Sequence, residues 1–181
     1  MILLPVLITV SCSSLQTFPN RQPDKNQPSI IASLQETIET RENFSINVFS
    51  RRAFTPLFKQ TKLLTHSFYA IILENDEFFT LSFCGKRSIF YSDGIWILNR
   101  KTDIKSYNLF LNGKNRWEVN YLYPENAIDA FMTLDNIIKT IKTGAKYYYR
   151  DHLKDKPNSL NCVTAINETI VLSDTIMLSM K

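Results

Sequence analysis

The chain has 181 residues, 44% hydrophobic and 12% aromatic, which suits one domain with a substantial core and excludes two ordinary ones. Its formal charge of +4 is spread without any block of five like charges, which argues against a nucleic-acid footprint. With two histidines, three cysteines and four glycines, the chain holds no Cys-x-x-Cys pair, no His-x-x-x-His, no metal-ligand cluster and no glycine-rich phosphate loop, so neither a metal nor another cofactor is expected.

Met1 to Val10 is an uninterrupted apolar run, too short to span a bilayer and placed where a secretory leader would stand. Ser11-Cys12-Ser13-Ser14 follows it directly. An apolar run ending in small residues and a cysteine resembles the lipobox of bacterial lipoproteins, which implies lipidation of Cys12 and an address in the periplasm or outer membrane. The departures are Thr9 and Val10, where leucine and a small residue are usual, and the missing Lys or Arg before the run. A plain cleaved signal peptide, with secretion, or a buried N-terminal strand are the alternatives. Residues 1–12 are thus read as leader, 13–28 (with Pro19, Pro23 and Pro28) as a flexible tether, and 29–181 as the single domain.

Within the domain, Ser29 is expected to cap a helix with Ile30, Ile31, Leu34 and Ile38 on one stripe, ending before Asn43. Short β-rich runs follow: Ser45 to Ser50, Ser67 to Leu73, Phe78 to Phe83, Ser88 to Tyr91, Ile95 to Leu98, Tyr107 to Leu111 and Trp117 to Tyr123. Turn signals such as Glu74-Asn75-Asp76-Glu77, Ser92-Asp93-Gly94 and Asn112-Gly113-Lys114 separate them, which predicts a mostly antiparallel sheet of hairpins. Pro124 then opens a helix with Ala127, Phe131, Leu134, Ile138 and Ile141 on one face and Gly144 beyond its end. Tyr147-Tyr148-Tyr149 reads as a short extended element, residues 150–161 as a polar loop, and Cys162 to Leu172 as a helix carrying Val163, Ile166 and Ile170. Thr175 to Met180 reads as a last strand or a helix extension. Strands first and helices later give an α+β fold, a mostly antiparallel sheet packed against helices.

The chemistry centres on Asn161-Cys162, where a polar loop turns into an apolar-periodic helix. A thiol in the first turn of a helix meets the positive end of the helix dipole and unpaired N–H groups, which favour its thiolate. A nucleophile needs a base, and the histidines are His66, at the head of an apolar strand, and His152, in a charged loop and read as solvated. A histidine strand preceding a cysteine helix resembles the circularly permuted papain-like cysteine hydrolases, over roughly Leu63 to Leu172. Thr65-His66-Ser67-Phe68, Tyr147 to Arg150 and Asn158 to Thr169 are similar to the periplasmic papain-like domain of lacto-N-biosidase chaperones. Lecithin retinol acyltransferase and the permuted NlpC-type peptidases share the same landmarks.

The resemblance implies a permuted papain-like fold with Cys162 as nucleophile and His66 as general base. It places the residue that orients the imidazole on the next strand, where Thr80 and Ser82 are the polar members, and suggests Tyr147 or Tyr149, with Asn161, for substrate and oxyanion contacts. Thr65 departs from the glycine usual before the histidine, and no carboxylate stands in the expected third position. The implied function is a cysteine-dependent hydrolase or acyltransferase of the bacterial cell envelope, acting on an amide or ester, with cell-wall peptide first and an acyl group next. The membrane would be met only through an N-terminal lipid. Two rival readings are a non-catalytic lipoprotein on the same scaffold, binding or assembling an envelope partner, and a domain in which Cys84 and Cys162 form a structural disulfide.

Overall fold

The computed structural model describes residues 23–40, 43–52, 65–74, 77–86, 91–113, 119–123, 125–148 and 159–173. The leader with Cys12, most of the tether, Tyr149, His152 and the Thr175 to Met180 segment lie outside them. Helix α1 (Gln27–Thr40) is followed by strands β1 (Ser45–Arg52), β2 (Thr65–Ile72), β3 (Phe78–Gly85) and β4 (Tyr91–Leu98). Then come α2 (Lys101–Leu111), β5 (Val119–Tyr123), a 3₁₀ turn at Glu125–Ala127, α3 (Ala130–Thr143), β6 (Lys146–Tyr148), β7 (Ser159–Leu160) and α4 (Cys162–Thr169).

The seven strands form a sheet in the order β5-β1-β2-β3-β4-β6-β7, antiparallel throughout except for the β6–β7 pair. Alternation along the central strands sends successive side chains to opposite faces, and both faces are covered. On one face Val48, Tyr69, Ile71, Leu81, Phe83 and Trp96 pack with Ile30 and Leu34 of α1, Leu134, Ile137 and Ile138 of α3, and Ala165 and Ile166 of α4. On the other, Phe49, Phe68, Ala70 and Phe78 meet Tyr107, Ile104 and Phe110 of α2. The fold is α+β, as the pattern of runs predicted.

Several elements differ from the sequence expectation. Helix α1 starts at Gln27, so Ser29 lies inside it and does not cap it, and α4 ends at Thr169 rather than at Leu172. Tyr107 to Leu111 is not a strand but the last part of α2. The apolar positions Ile104, Tyr107 and Phe110 recur every three residues and cover the second face of the sheet, so burial there decides helix over the β propensity of a short aromatic run. Ser92-Asp93-Gly94 is not a turn: it lies inside β4 and pairs with β6 and β3. The third helix starts at Ala130, capped by Asp129 accepting from the Met132 N–H, rather than at Pro124. Its C-terminal Gly144, at φ 67°, is where the sequence put it.

Gly94 owes its place to crowding rather than to turning. A Cβ on it would overlap the Phe83 ring and lie 2.7 Å from the carbonyl oxygen of Ala145, which accepts a hydrogen bond from the Gly94 N–H at 2.8 Å. Gly94→Ala is therefore expected to destabilise the fold by about 3 kcal/mol through overpacking, read as a lower urea midpoint with an unchanged slope.

Candidate active site

The N-terminal end of β2 is where three elements converge. His66 points to the α2 face of the sheet, together with Phe68 and Ala70, and is 6% exposed. Directly across from it on β1 is Arg51. The β2–β3 register, which pairs Tyr69 with Leu81, places Cys84 opposite His66 when continued. Arg51, His66 and Cys84 thus form a row across three strands, and the start of α2 lies over it.

Asn99 sets that helix start. It takes the left-handed conformation at φ 55°, tolerated by Asn better than by most side chains, donates its N–H to the Thr80 carbonyl at 2.8 Å and accepts the Thr80 N–H on Oδ1 at 3.2 Å. The chain therefore leaves β4 tied to β3. Arg100 occupies the N-cap position of α2 without a side-chain cap bond, and Asp103, in the first turn, falls over the row.

Asp103 Oδ2 meets His66 Nε2 at 3.2 Å. Oδ1 accepts from Arg51 Nε at 3.1 Å and Nη2 at 2.9 Å, and from the Thr102 hydroxyl at 3.3 Å. The carboxylate is fully buried. Burial alone would raise its pKa, but the His66 hydrogen bond and the charges of His66, Arg51 and Arg100 hold it well below the usual carboxylate range. Asp103 is thus a permanent anion that accepts from Nε2–H, leaving Nδ1 for a partner on the other side.

That partner is Cys162, hydrogen-bonded to His66. Its helix is docked by the far end: Tyr69 Oη is 2.8 Å from Thr169 Oγ1 and donates to the Ile166 carbonyl at 3.3 Å. Seven helical residues from Thr169 back to Cys162 span about 10 Å. Three strand residues from Tyr69 back to His66 span nearly the same. Fixing Thr169 on Tyr69 therefore delivers the thiol to the level of His66. At its own end α4 is held by a capping box. Asn161 Oδ1 accepts the Val163 and Thr164 N–H groups at 2.8 and 2.9 Å, while the Thr164 hydroxyl accepts the Asn161 N–H at 2.7 Å. Such a cap contributes about 1 kcal/mol.

The electrostatics of the pair follow. Burial pushes the Cys162 thiol up, yet the hydrogen bond and charge of His66, the Ser67 N–H and the thiol's own backbone N–H outweigh it, so the pKa falls below the ordinary thiol value. Burial likewise opposes charge on His66, but the hydrogen bonds and charges of Asp103 and Cys162 raise its pKa. Opposite shifts on two bonded groups favour the thiolate–imidazolium form. Cys84 differs. Burial raises its thiol to about 11 despite the pull of Arg100, whose Nη1 donates to the sulfur at 3.1 Å. Cys84 and Cys162 are both free thiols, not a disulfide.

Of the residues expected for the site, the structure joins His66 and Cys162 and supplies a different orienting group. Thr80 pairs with Ala70, four residues along β2 from His66, or about 13 Å away. Its buried hydroxyl has no hydrogen-bond partner. Ser82 lies 3.9 Å from the Cys84 sulfur and has no bond to the imidazole. Tyr147 packs at 6.0 Å against Phe83 on the α1/α3/α4 face. Asn161 acts through its cap. Asp103 was hidden because its helix resembled a strand from Tyr107 on; the signal for it is an acid in the first turn of an amphipathic stretch that follows an Asn-Arg turn.

Among the described residues no three His, Cys, Asp or Glu side chains are grouped to hold a metal ion, and no helix is long and apolar enough to cross a membrane. No family model, curated protein or solved structure matches the chain.

Proposed function

We propose that the protein is a cysteine-dependent hydrolase or acyltransferase on a circularly permuted papain-like scaffold, acting in the bacterial cell envelope on an amide or ester, with cell-wall peptide as the first substrate class. The observation that carries the chemistry is the continuous chain Cys162–His66–Asp103, in which a buried carboxylate orients the base of a helix-start thiol. The scaffold reading is supported by the order of the histidine strand and the cysteine helix, and the envelope reading by the apolar leader and Cys12. The rival reading, a non-catalytic assembly factor, is favoured by Thr65 in place of the usual glycine and by the want of a third residue; Asp103 answers the second of these and not the first.

In the proposed cycle the Cys162 thiolate attacks the carbonyl carbon, and the oxyanion is met by backbone N–H groups. The Val163 and Thr164 N–H groups are engaged by Asn161, so the donors at hand are those of Cys162 itself and Ser67, both aimed at the sulfur. Imidazolium His66 passes its proton to the leaving amine or alkoxide, and a thioester remains on Cys162. His66 then takes a proton from water, whose oxygen attacks the thioester and releases acid and thiol; an acceptor hydroxyl in place of water gives acyl transfer.

Intact protein incubated with cell-wall muropeptides and with activated acyl esters tests this by mass spectrometry. The expected result is a thioester adduct mapped to Cys162, shortened peptides, and neither in Cys162→Ala. An adduct on Cys84 alone, or turnover that survives Cys162→Ala, would sink the reading.

A further inference from the structure

Charge does not balance around the triad. Arg51 and Arg100 face one permanent carboxylate, Asp103, and the Cys162–His66 pair is neutral overall whether its proton sits on sulfur or on nitrogen. Among the described residues one positive charge is left without a counter-charge. It belongs to Arg100. Arg51, with its side chain 10% exposed, is committed to Asp103 by two of its nitrogens and to Thr102 by one of them. Among the described residues the polar partners of Arg100 are neutral or cation-forming: its Nη1 is 3.1 Å from the Cys84 sulfur and 3.5 Å from His66 Nε2. Among the described residues no carboxylate lies within ion-pair distance of it, and its Nε and Nη2 have no hydrogen-bond partner. Both oxygens of Asp103 are already engaged, Oδ1 by Arg51 and Thr102 and Oδ2 by His66. Cys84 stays a neutral thiol and cannot serve as the counterion.

Arg100 is also only half-buried, whereas Asp103 and His66 are buried, so part of it is open to solvent beside the histidine. A planar guanidinium with two open donors and one unmatched charge fits a carboxylate in a fork, and a single charge suits a carboxylate better than a phosphate dianion. We propose that Arg100 recognises a carboxylate on the substrate, so that this site takes acyl compounds carrying a free carboxylate near the scissile carbonyl, such as the chain end or an acidic side chain of a short peptide. The proposal rests on Cys162 being the nucleophile and narrows the substrate class of that same site.

Two alkylating reagents of equal reach read it directly. Iodoacetate carries the carboxylate and iodoacetamide its neutral isostere, and peptide mapping separates Cys162 from Cys84. The ratio of iodoacetate to iodoacetamide rate constants at Cys162 is expected to exceed that of a free thiol and to fall about three- to tenfold in Arg100→Gln, iodoacetate slowing more than iodoacetamide, with Arg100→Lys intermediate. If both reagents slow equally and the pH profile shifts, Arg100 only supports Asp103 and the proposal is overturned; an unchanged ratio overturns it too. Should Cys162 react no faster than a free thiol, the nucleophile reading has failed, and a second measurement judges Arg100 alone. In Cys162→Ser protein, N-acetylglycine is expected to raise the Tm saturably while N-acetylglycinamide does not, and Arg100→Gln to remove the difference. Equal shifts with the two compounds, or none, count against carboxylate recognition.

Discussion

Replacing His66 with alanine is expected to slow alkylation of Cys162 by iodoacetamide at pH 6.5 by about tenfold or more, and turnover by about 10²–10⁴. A free thiol with pKa near 8.5 is only about 1% ionised at that pH. Pairing with a proton-accepting imidazole raises the thiolate fraction many-fold, while the lower basicity of the paired sulfur gives part of that back, because nucleophilicity falls as pKa falls. The direction of the shifts sets the pH window. With Cys162 lowered and His66 raised, the wild-type rate should rise at a pH below the ordinary thiol range, and His66→Ala should move that rise back into it. The same linkage acts on stability. A His66 pKa raised above its unfolded value of about 6.5 stabilises the fold below that value, and the contribution is lost as pH rises through the folded pKa. A wild-type profile that follows a model thiol, unchanged by the mutation, would remove the pairing.

Asp103→Asn is the second substitution with a large expected effect, and it acts twice. Asparagine keeps the shape but leaves the largely buried Arg51 side chain without its counterion, at a cost of about 3 kcal/mol at pH 7. The gap to wild type should narrow on acidification. The folded pKa of Asp103 is depressed, so its contribution is complete above the unfolded value of about 3.9 and is lost as pH falls below that toward the folded value. Denaturant midpoints at pH 7 and pH 3 check this. Catalytically, an amide can hold Nε2 in either sense and no longer stabilises an imidazolium. By analogy with serine-protease triads the loss of turnover should approach 10⁴. Thr80→Val and Ser82→Ala serve as controls, since neither hydroxyl bonds to His66. A shift of the thiol profile in Ser82→Ala with none in Asp103→Asn would reassign the orienting role.

Nearby positive charge makes the carboxylate strong, and its burial makes it costly to lose, so the site and the fold share one network. Arg51 lies opposite His66 on β1, and Asp103 bridges the two from α2. The same helix closes the smaller core through Tyr107, whose ring meets Phe49 and Phe78 edge-on at 5.2 and 4.6 Å. Loosening that packing is therefore a route by which changes far from the thiol would alter its reactivity.

How much of this was legible depends on the range of each interaction. The β-rich runs of β1, β2 and β3, the stripe of α1, the stop at Gly144 and the helix start at Cys162 are written in neighbouring residues. Gly94 misled because a strand glycine needed for close packing looks locally like a turn glycine. The Lys101–Leu111 helix misled because five residues rich in aromatic and aliphatic side chains satisfy either period until the face they must cover is known.

By itself, then, the sequence determined that a thiol opens a helix and that a histidine heads an apolar strand, since periodicity and turn signals are local. That the two are bonded, that an aspartate 37 residues beyond His66 meets the ring, and that Arg100 has no carboxylate partner among the described residues were decided only by the tertiary structure. Those contacts depend on strand register, on the phase of α2 after the left-handed turn at Asn99, and on the docking of Thr169 against Tyr69, none of which any short stretch of chain contains.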